Sequence, residues 1–222
     1  TLKRFRIAQT NYNNAKSRSM TSAENEDKAP CFSAAPVEKY YQQELPASAY
    51  NVDKKGWAEK LNAVTKVFKE DGKLESGNAT ITFTIIRTWY VNSEGTVTVQ
   101  NRQTVRVMLS ASIKAVDGMS CPLFQDFFGY TDDQLPDLNV LTETARDMTK
   151  RLHALANAPI VDPYTGPAIL SGPASGVFFH EIFGHRLEGH RLKTGGETFK
   201  KKVNERVLPE SFNVYCDPTL SI

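Results

Sequence analysis

The chain has little cysteine, and its cysteines are widely spaced. Cys31, Cys121 and Cys216 are the three cysteines among 222 residues, and no two of them form a CxxC pair. An odd number at this spacing argues against a disulfide framework and against a metal site built from cysteines alone. We interpret the three residues as partly buried free thiols.

A strong net charge and long apolar runs are lacking as well. The formal net charge of +2 is too small to favour a nucleic acid or an anionic membrane as partner. No stretch approaches the roughly 18 apolar residues that a membrane-spanning helix needs. The first nine residues, TLKRFRIAQ, lack the apolar core of a signal peptide, and a first residue other than Met indicates that the natural start is missing or was removed. We expect a cytoplasmic protein.

The rest of the composition is that of an ordinary globular protein, with 40% hydrophobic and 23% charged residues. Residues 1–36 are predicted to be an irregular N-terminal segment with a short strand at 2–8. Beyond that strand, residues 11–36 are rich in Asn, Ser, Ala, Lys and Glu and show little apolar periodicity. Residues 37–222 are predicted to form an α+β region.

Apolar residues at helical spacing predict two amphipathic helices. The first covers 53–70, begins at Asp53 as a suitable N-cap, and has an apolar stripe of Trp57, Leu61, Val64 and Phe68. The second covers 138–156, and its stripe is Leu141, Ala145, Met148, Leu152 and Leu155. His153 lies off this stripe, so we interpret it as a solvated histidine.

Three runs rich in β-branched and aromatic residues predict strands at 79–91, 96–100 and 104–116. The sequence Asn-Ser-Glu-Gly at 92–95 supplies the first turn. We expect two hairpins in series, which form an antiparallel sheet packed by the two helices. Further along, 168–171 is predicted to be a short buried strand and 172–176 a tight connection into a helix near the C-terminus.

That last helix carries the residues with catalytic chemistry. The sequence VFFHEIFGHRLEG at 177–189 contains His180 and His185, with Glu181 directly after the first, and His190 follows the segment. Zinc peptidases need two neutral imidazoles on one metal and a carboxylate near the attacking water. The carboxylate takes a proton from the water and passes it to the leaving amine.

The spacing of the two histidines raises an objection. HExxH motifs place their histidines at i and i+4, roughly 40° apart around a helix, whereas His180 and His185 at i and i+5 are roughly 140° apart. Gly184 makes a local distortion inexpensive. We therefore predict a π-bulge or a break at 182–184, which would return both rings to one side.

A buried helix whose histidines satisfy local hydrogen bonds is the alternative interpretation, and HExxxH spacing alone does not exclude it. The motif follows a short apolar run and a loop of small residues, and Phe178 and Phe179 lie beside it. An acid and two imidazoles on the buried part of a helix are costly without a partner. A metal ion would be such a partner.

The segment VFFHEIFGHRLEGH at 177–190 resembles the HExxxH segment of the TldD/PmbA metalloproteases, once described as modulators of DNA gyrase. Further similarity is found in the turn at 90–95, the strand at 106–118, the approach at 167–176 and the sequence NVYCDPTL at 213–220. The resemblance extends over about 39–222.

The resemblance implies that His180 and His185 bind Zn²⁺ and that Glu181 is the catalytic acid/base. It further implies hydrolysis of peptides or unfolded polypeptide segments in a chamber formed by a homodimer, or by a heterodimer with a related subunit. A downstream cysteine completes the family's metal site, and we expect the domain carrying it, the family C-terminal domain, to be absent from this chain. The chain by itself is then expected to bind zinc weakly and to be inactive.

Two further residues need separate treatment under this resemblance. Cys216 lies in a segment that matches a family strand, and no ligand spacing supports it as a metal ligand. His190 stands where relatives usually carry Asp, so a surface or supporting role is favoured over a third ligand. If the C-terminal domain is missing, the surface around 177–187 should be unusually apolar or ordered by a dimer mate.

Two other classes of function stay open at this point. One is a non-catalytic interaction module that binds a regulatory partner such as a topoisomerase or a toxin–antitoxin component. The other is a metal-free structural relative, in which replacing His180 and His185 with Gln would alter neither zinc content nor function.

Overall fold

The computed structural model describes residues 2–21, 35–191, 202 and 204–217, and the fold is α+β. The chain divides into two compact units, one made of Ala34–Pro163 and the other of Thr1–Ser33 with Tyr164–Ile222. Across the described ranges there are four α-helices and one four-stranded sheet. None of these helices is long and apolar enough to cross a membrane.

The sheet lies in the first unit and is mixed, which corrects the prediction of an antiparallel sheet. Its strands are β1 (Lys39–Tyr41), β2 (Leu74–Val91), β3 (Val97–Lys114) and β4 (Ser120–Gly129). β3 is central and pairs antiparallel with β2 along one edge, with Ile81 opposite Val107. Its other edge is shared by β4, which is antiparallel, and by the three residues of β1, which are parallel.

The first predicted hairpin is confirmed, but the second predicted hairpin is wrong, and β4 completes the meander instead. The runs at 96–100 and 104–116 belong to one strand, because the residues between them, 101–103, contain neither Gly nor Pro and pair with β2. The first turn is where it was expected: the side-chain Oδ1 of Asn92 accepts hydrogen bonds from the backbone N–H groups of Glu94 and Thr96, and Gly95 has φ 101°. The second turn contains Gly118, and β4 after it was not predicted.

Both predicted amphipathic helices are confirmed, as α2 (Lys54–Glu70) and α3 (Leu138–Ala156). The Asp53 carboxylate accepts a hydrogen bond from Gly56 N at 2.9 Å, so this residue caps α2 as predicted. α2 contacts β2 and α3, while α3 contacts β3 and β4, so the helices cover one face of the sheet. This arrangement is a two-layer packing around one core.

The core is built from alternate residues of β3 and from the helix stripes. Its buried members include Val105, Val107, Leu109, Ala111, Ile113, Trp57, Val64, Phe68, Leu141, Ala145, Met148 and Leu152. In α3 the last buried residue is Ala156, while Leu155 is 48% exposed, contrary to the predicted stripe. At 100° per residue Ala156 lies about 40° from Leu152, whereas Leu155 lies about 60° away on the other side.

The N-terminal segment corrects a second prediction. Residues Leu2–Thr21 form the helix α1 rather than a strand at 2–8 followed by irregular chain. The apolar residues Leu2, Phe5 and Ile7 do not alternate with the period of two that a strand requires, and Leu, Lys, Arg, Ala and Gln are good helix formers. The rest of the segment predicted to be irregular, at 22–34, lies outside the described residues.

The second unit also contains the helix α4 (Gly172–Ile182), followed by a 3₁₀ helix at Gly184–Leu187. The predicted strand at 168–171 is absent, since no helix or strand occurs at 158–171. The predicted connection at 172–176 is instead the first part of α4. Pro173 is tolerated in the first turn because the N–H groups there have no partner within the helix.

Candidate metal centre

The histidine motif spans a break between two helices. His180 and Glu181 lie in the last turn of α4, which ends at Ile182, while His185 lies in the following 3₁₀ helix. Phe183 between them leaves helical geometry, with φ −123° and ψ −53°. The predicted break at 182–184 is therefore confirmed.

The break brings the two imidazoles together. The ring centroids of His180 and His185 are 4.4 Å apart, where a regular helix would turn them to roughly 140° from each other. The Glu181 carboxylate faces both rings: Oε1 is 3.8 Å from His180 Nε2, and Oε2 is 3.7 Å from His185 Nε2. One ligand atom of each residue lies within 4.8 Å of the other two.

The donor set fits a zinc ion. Two imidazole nitrogens on one tetrahedral zinc are about 3.3 Å apart, so from a separation of at most 4.8 Å the side chains need to close by no more than about 1.5 Å. The side chains of His180 and Glu181 are 64% and 62% exposed, so rotation meets little packing resistance. Neutral imidazole nitrogens are common zinc ligands, and a carboxylate beside them can act on a nearby water without binding the ion. The residues can thus hold the metal that the resemblance implies.

Glu188 is a further member of the site, which the sequence analysis did not identify. Its Oε1 lies 2.7 Å from His185 Nδ1, and its Oε2 accepts a hydrogen bond from Arg191 Nε at 3.3 Å. The hydrogen bond with His185, with a smaller contribution from Arg191, holds the pKa of the Glu188 carboxyl below its usual value. The available signal was its position, three residues after His185.

The surroundings of the motif are largely aromatic and apolar. Phe179 stacks on Phe212 with ring centroids 5.2 Å apart, and Phe178 meets Phe179 edge to face. Phe183 is buried, with 8% exposure. Val177, Phe178, Ile182 and Leu187 are exposed, so the segment 177–187 presents apolar side chains at its surface.

The remaining candidates are not members of this ligand group. His190 Nδ1 is 3.6 Å from Glu188 Oε2, and among the described residues the group of possible metal ligands contains only His180, Glu181 and His185. Cys216 is an exposed free thiol and Cys121 a buried one in the sheet unit, while Cys31 lies outside the described residues. His153 is not a freely solvated side chain, because its Nε2 is 2.6 Å from Asp71 Oδ2.

Comparison with known proteins gives one family. Residues 163–222 match the model described as the PmbA/TldA metallopeptidase C-terminal domain. This match supports assignment of the chain to the TldD/PmbA family. No curated protein and no solved structure matches the chain.

The TldD/PmbA match begins where the fold divides. Its first residue, at 163, coincides with the boundary between the sheet unit, which ends at Pro163, and the unit that resumes at Tyr164. The matched residues include α4 and the 3₁₀ helix with His180, Glu181 and His185. The matched model is described as a C-terminal domain, whereas the resemblance led us to expect that 37–222 is the family's N-terminal and middle α+β region, without its C-terminal domain.

Proposed function

We propose that the protein carries out zinc-dependent hydrolysis of peptides or unfolded polypeptide segments. The observation that carries this proposal is the convergence of His180, Glu181 and His185 at the break after α4. The matched family model supports the coarser statement that residues 163–222 are a metallopeptidase-related domain.

Each residue has a definite role in this proposal. His180 and His185 hold the ion through neutral imidazole nitrogens. Zinc, when bound, supplies a Lewis acid that polarises the scissile carbonyl and makes a nearby water more acidic. Both Nε2 atoms already face the Glu181 carboxylate, so the ion and the acid/base share one small volume.

Glu181 is assigned as the general acid/base. A carboxylate oxygen of Glu181 accepts a proton from the water, whose oxygen bonds to the scissile carbonyl carbon. The same carboxyl then gives the proton to the amide nitrogen as the carbon–nitrogen bond breaks, so the amine leaves neutral. General acid/base catalysis of this kind contributes typically about 10²–10⁴-fold to the rate.

The surroundings favour an extended substrate. The motif is open to solvent, and the exposed side chains of Val177, Phe178 and Leu187 give apolar contact area for the side chains of an unfolded segment. The homodimer or heterodimer expected from the resemblance and the cytoplasmic location expected from the sequence stay part of this proposal. Light scattering of the natural protein, alone and with a related subunit, tests the assembly.

The deciding experiment is Glu181→Gln in the full natural protein, with metal content and cleavage of unstructured peptides measured in parallel. The proposal expects zinc to be retained and cleavage to fall by about 10²-fold or more. Glu205→Gln is the matched control, because Glu205 lies in the same unit and pairs with Lys202 at 2.8 Å. Unchanged cleavage in Glu181→Gln contradicts the assigned role. Unchanged biological activity supports the interaction module instead.

A further inference from the structure

We propose that Glu188 is a positioning residue that fixes the tautomer and orientation of His185, so that Nε2 is the atom presented to the metal. This inference rests on the proposed function, since it assumes that His185 is a ligand. It adds a residue to the site that acts through His185 and does not touch the metal or the substrate.

The hydrogen-bond geometry assigns the tautomer. Glu188 Oε1 is 2.7 Å from His185 Nδ1, and an ionised carboxylate only accepts hydrogen bonds, so Nδ1 must carry the hydrogen. In a neutral imidazole the lone pair then lies on Nε2. His185 Nε2 is also the atom that faces the Glu181 carboxylate, at 3.7 Å from Oε2. The ring is therefore oriented with its free lone pair toward the candidate metal centre.

The local backbone explains why Glu188 reaches this position. His185 belongs to the 3₁₀ helix at Gly184–Leu187, and Glu188 is its C-terminal cap. Side chains at i and i+3 eclipse each other in a 3₁₀ helix, so His185 and Glu188 lie on the same side. The break after α4 thus does two things: it brings His185 toward His180, and it places a carboxylate behind the ring.

Glu188 is itself held from the opposite side. Its second oxygen, Oε2, accepts a hydrogen bond from Arg191 Nε at 3.3 Å and lies 3.6 Å from His190 Nδ1. One oxygen is thus available to His185 while the other is restrained by cationic or polar neighbours. A carboxylate behind a ligating imidazole restricts the rotation of the ring and increases its basicity toward a metal.

The alternative is an ordinary surface pair without consequence for the metal. The zinc affinity of the Glu188 variants separates the two possibilities, and the ring nitrogen that carries hydrogen shows whether the contact forms in solution, because an unrestrained histidine in water favours hydrogen on Nε2. Long-range ¹H–¹⁵N spectra of the ¹⁵N-histidine-labelled chain distinguish these tautomers. The spectra are recorded without metal at about pH 8, well above the ordinary histidine pKa of about 6.5.

The experiment compares the native chain with Glu188→Ala and the isosteric Glu188→Gln. We expect hydrogen on Nδ1 of His185 in the native chain and on Nε2 in Glu188→Ala. Zinc affinity, measured by competition with a chromophoric chelator, should fall about 10–100-fold in Glu188→Ala and by less in Glu188→Gln, whose amide oxygen can still accept a hydrogen bond. Glu210→Ala is the matched control, since Glu210 pairs with Arg206 at 2.6 Å in the same unit and should change neither quantity.

The outcomes separate this inference from the proposed function. Zinc binding that is equal in the native chain and in both Glu188 variants overturns the positioning role and leaves the function standing. No zinc binding by the full natural protein overturns the function, while the spectra still decide whether Glu188 orients His185. Hydrogen on Nε2 of His185 in the native chain overturns the inference in either case. Circular dichroism of Glu188→Gln verifies that the variant is folded.

Discussion

Asp71 and His153 are joined by a 2.6 Å hydrogen bond between their side chains, although 82 positions separate them in the chain. Asp71 is the C-cap of α2, and His153 lies in the last turn of α3, so the contact ties the ends of the two helices that cover the sheet. The hydrogen bond from His153 is the main reason that the pKa of the Asp71 carboxyl lies below its ordinary value of 3.8.

This contact predicts a definite pH dependence of stability. A carboxyl whose pKa is lower in the folded than in the unfolded state stabilises the fold at pH values above its ordinary pKa of 3.8. This stabilisation is lost as the pH falls through the lower pKa of the folded state. We expect Asp71→Asn to destabilise the chain by about 1 kcal/mol near neutral pH. In urea titrations, the difference in the free energy of unfolding between Asp71→Asn and the native chain should shrink below about pH 4.

The control for this prediction is Asp147→Asn, which removes an exposed carboxylate 3.7 Å from Arg151 on α3. Exposed pairs of this kind contribute little, so the control should change stability by less than about 0.5 kcal/mol at every pH. An Asp71→Asn effect that is independent of pH would show that the charge on Asp71 is not what stabilises the contact.

Gly77 provides a test of the packing between α2 and β2. A Cβ added at Gly77 would overlap the Cβ of Phe68 and lie 2.8 Å from its Cγ, so either the strand or the helix must move. We expect Gly77→Ala to destabilise the chain by about 1–3 kcal/mol, which thermal unfolding measures. Gly72→Ala is the matched control, because no atom lies within 4 Å of a Cβ at that position. Equal stability of the two variants would contradict the close packing.

The metal centre predicts different effects for different histidines. His180→Gln and His185→Gln each remove one proposed ligand, and each should weaken zinc binding by roughly 100-fold or more, since loss of a supporting residue already costs about 10–100-fold. His153→Gln should leave zinc affinity unchanged, because His153 belongs to the sheet unit and bonds to Asp71. Isothermal titration with zinc makes the comparison. Equal affinity in all three variants would favour the metal-free alternative.

Elements that depend on interactions between residues close in sequence could be predicted, whereas those that depend on remote partners could not. The helices α2 and α3 were predictable because a stripe at helical spacing is a local signal, and for α2 the capping Asp53 is a second one. The parallel strand β1 was not, because three residues that pair with Val97–Val99 derive their structure from partners more than fifty positions away. For the same reason the contact of His153 was not predicted, because its partner Asp71 is remote in sequence.

At the candidate site the sequence supplied the residues but not all of their contacts. The i and i+5 spacing of His180 and His185 conflicts with a regular helix, and that conflict itself predicted a break. The contact between His185 and Glu188 could not be derived in the same way, because it depends on the chain continuing as a 3₁₀ turn after the break. The sequence indicated the position of the break at 182–184. Its type depends on packing, such as the burial of Phe183.

The break after α4 gives a final prediction, at Gly184. A Cβ at Gly184 would come no closer than 3.8 Å to Phe179 O, so Gly184→Ala fits the present backbone without strain. Alanine does, however, favour regular helix over glycine by about 1 kcal/mol. A helix continued through 183–185 would turn the rings of His180 and His185 away from each other. We therefore expect zinc affinity to fall by up to about 5-fold, the equivalent of about 1 kcal/mol.

The control is Gly189→Ala, which lies beyond the break and has no atom within 4 Å of the added Cβ. It should leave both zinc affinity and helix content unchanged. Circular dichroism should show more helix in Gly184→Ala, and added zinc should reverse part of that gain, because binding selects the broken conformation. If Gly184→Ala gains helix but binds zinc as tightly as the native chain, the break is not what unites the two imidazoles.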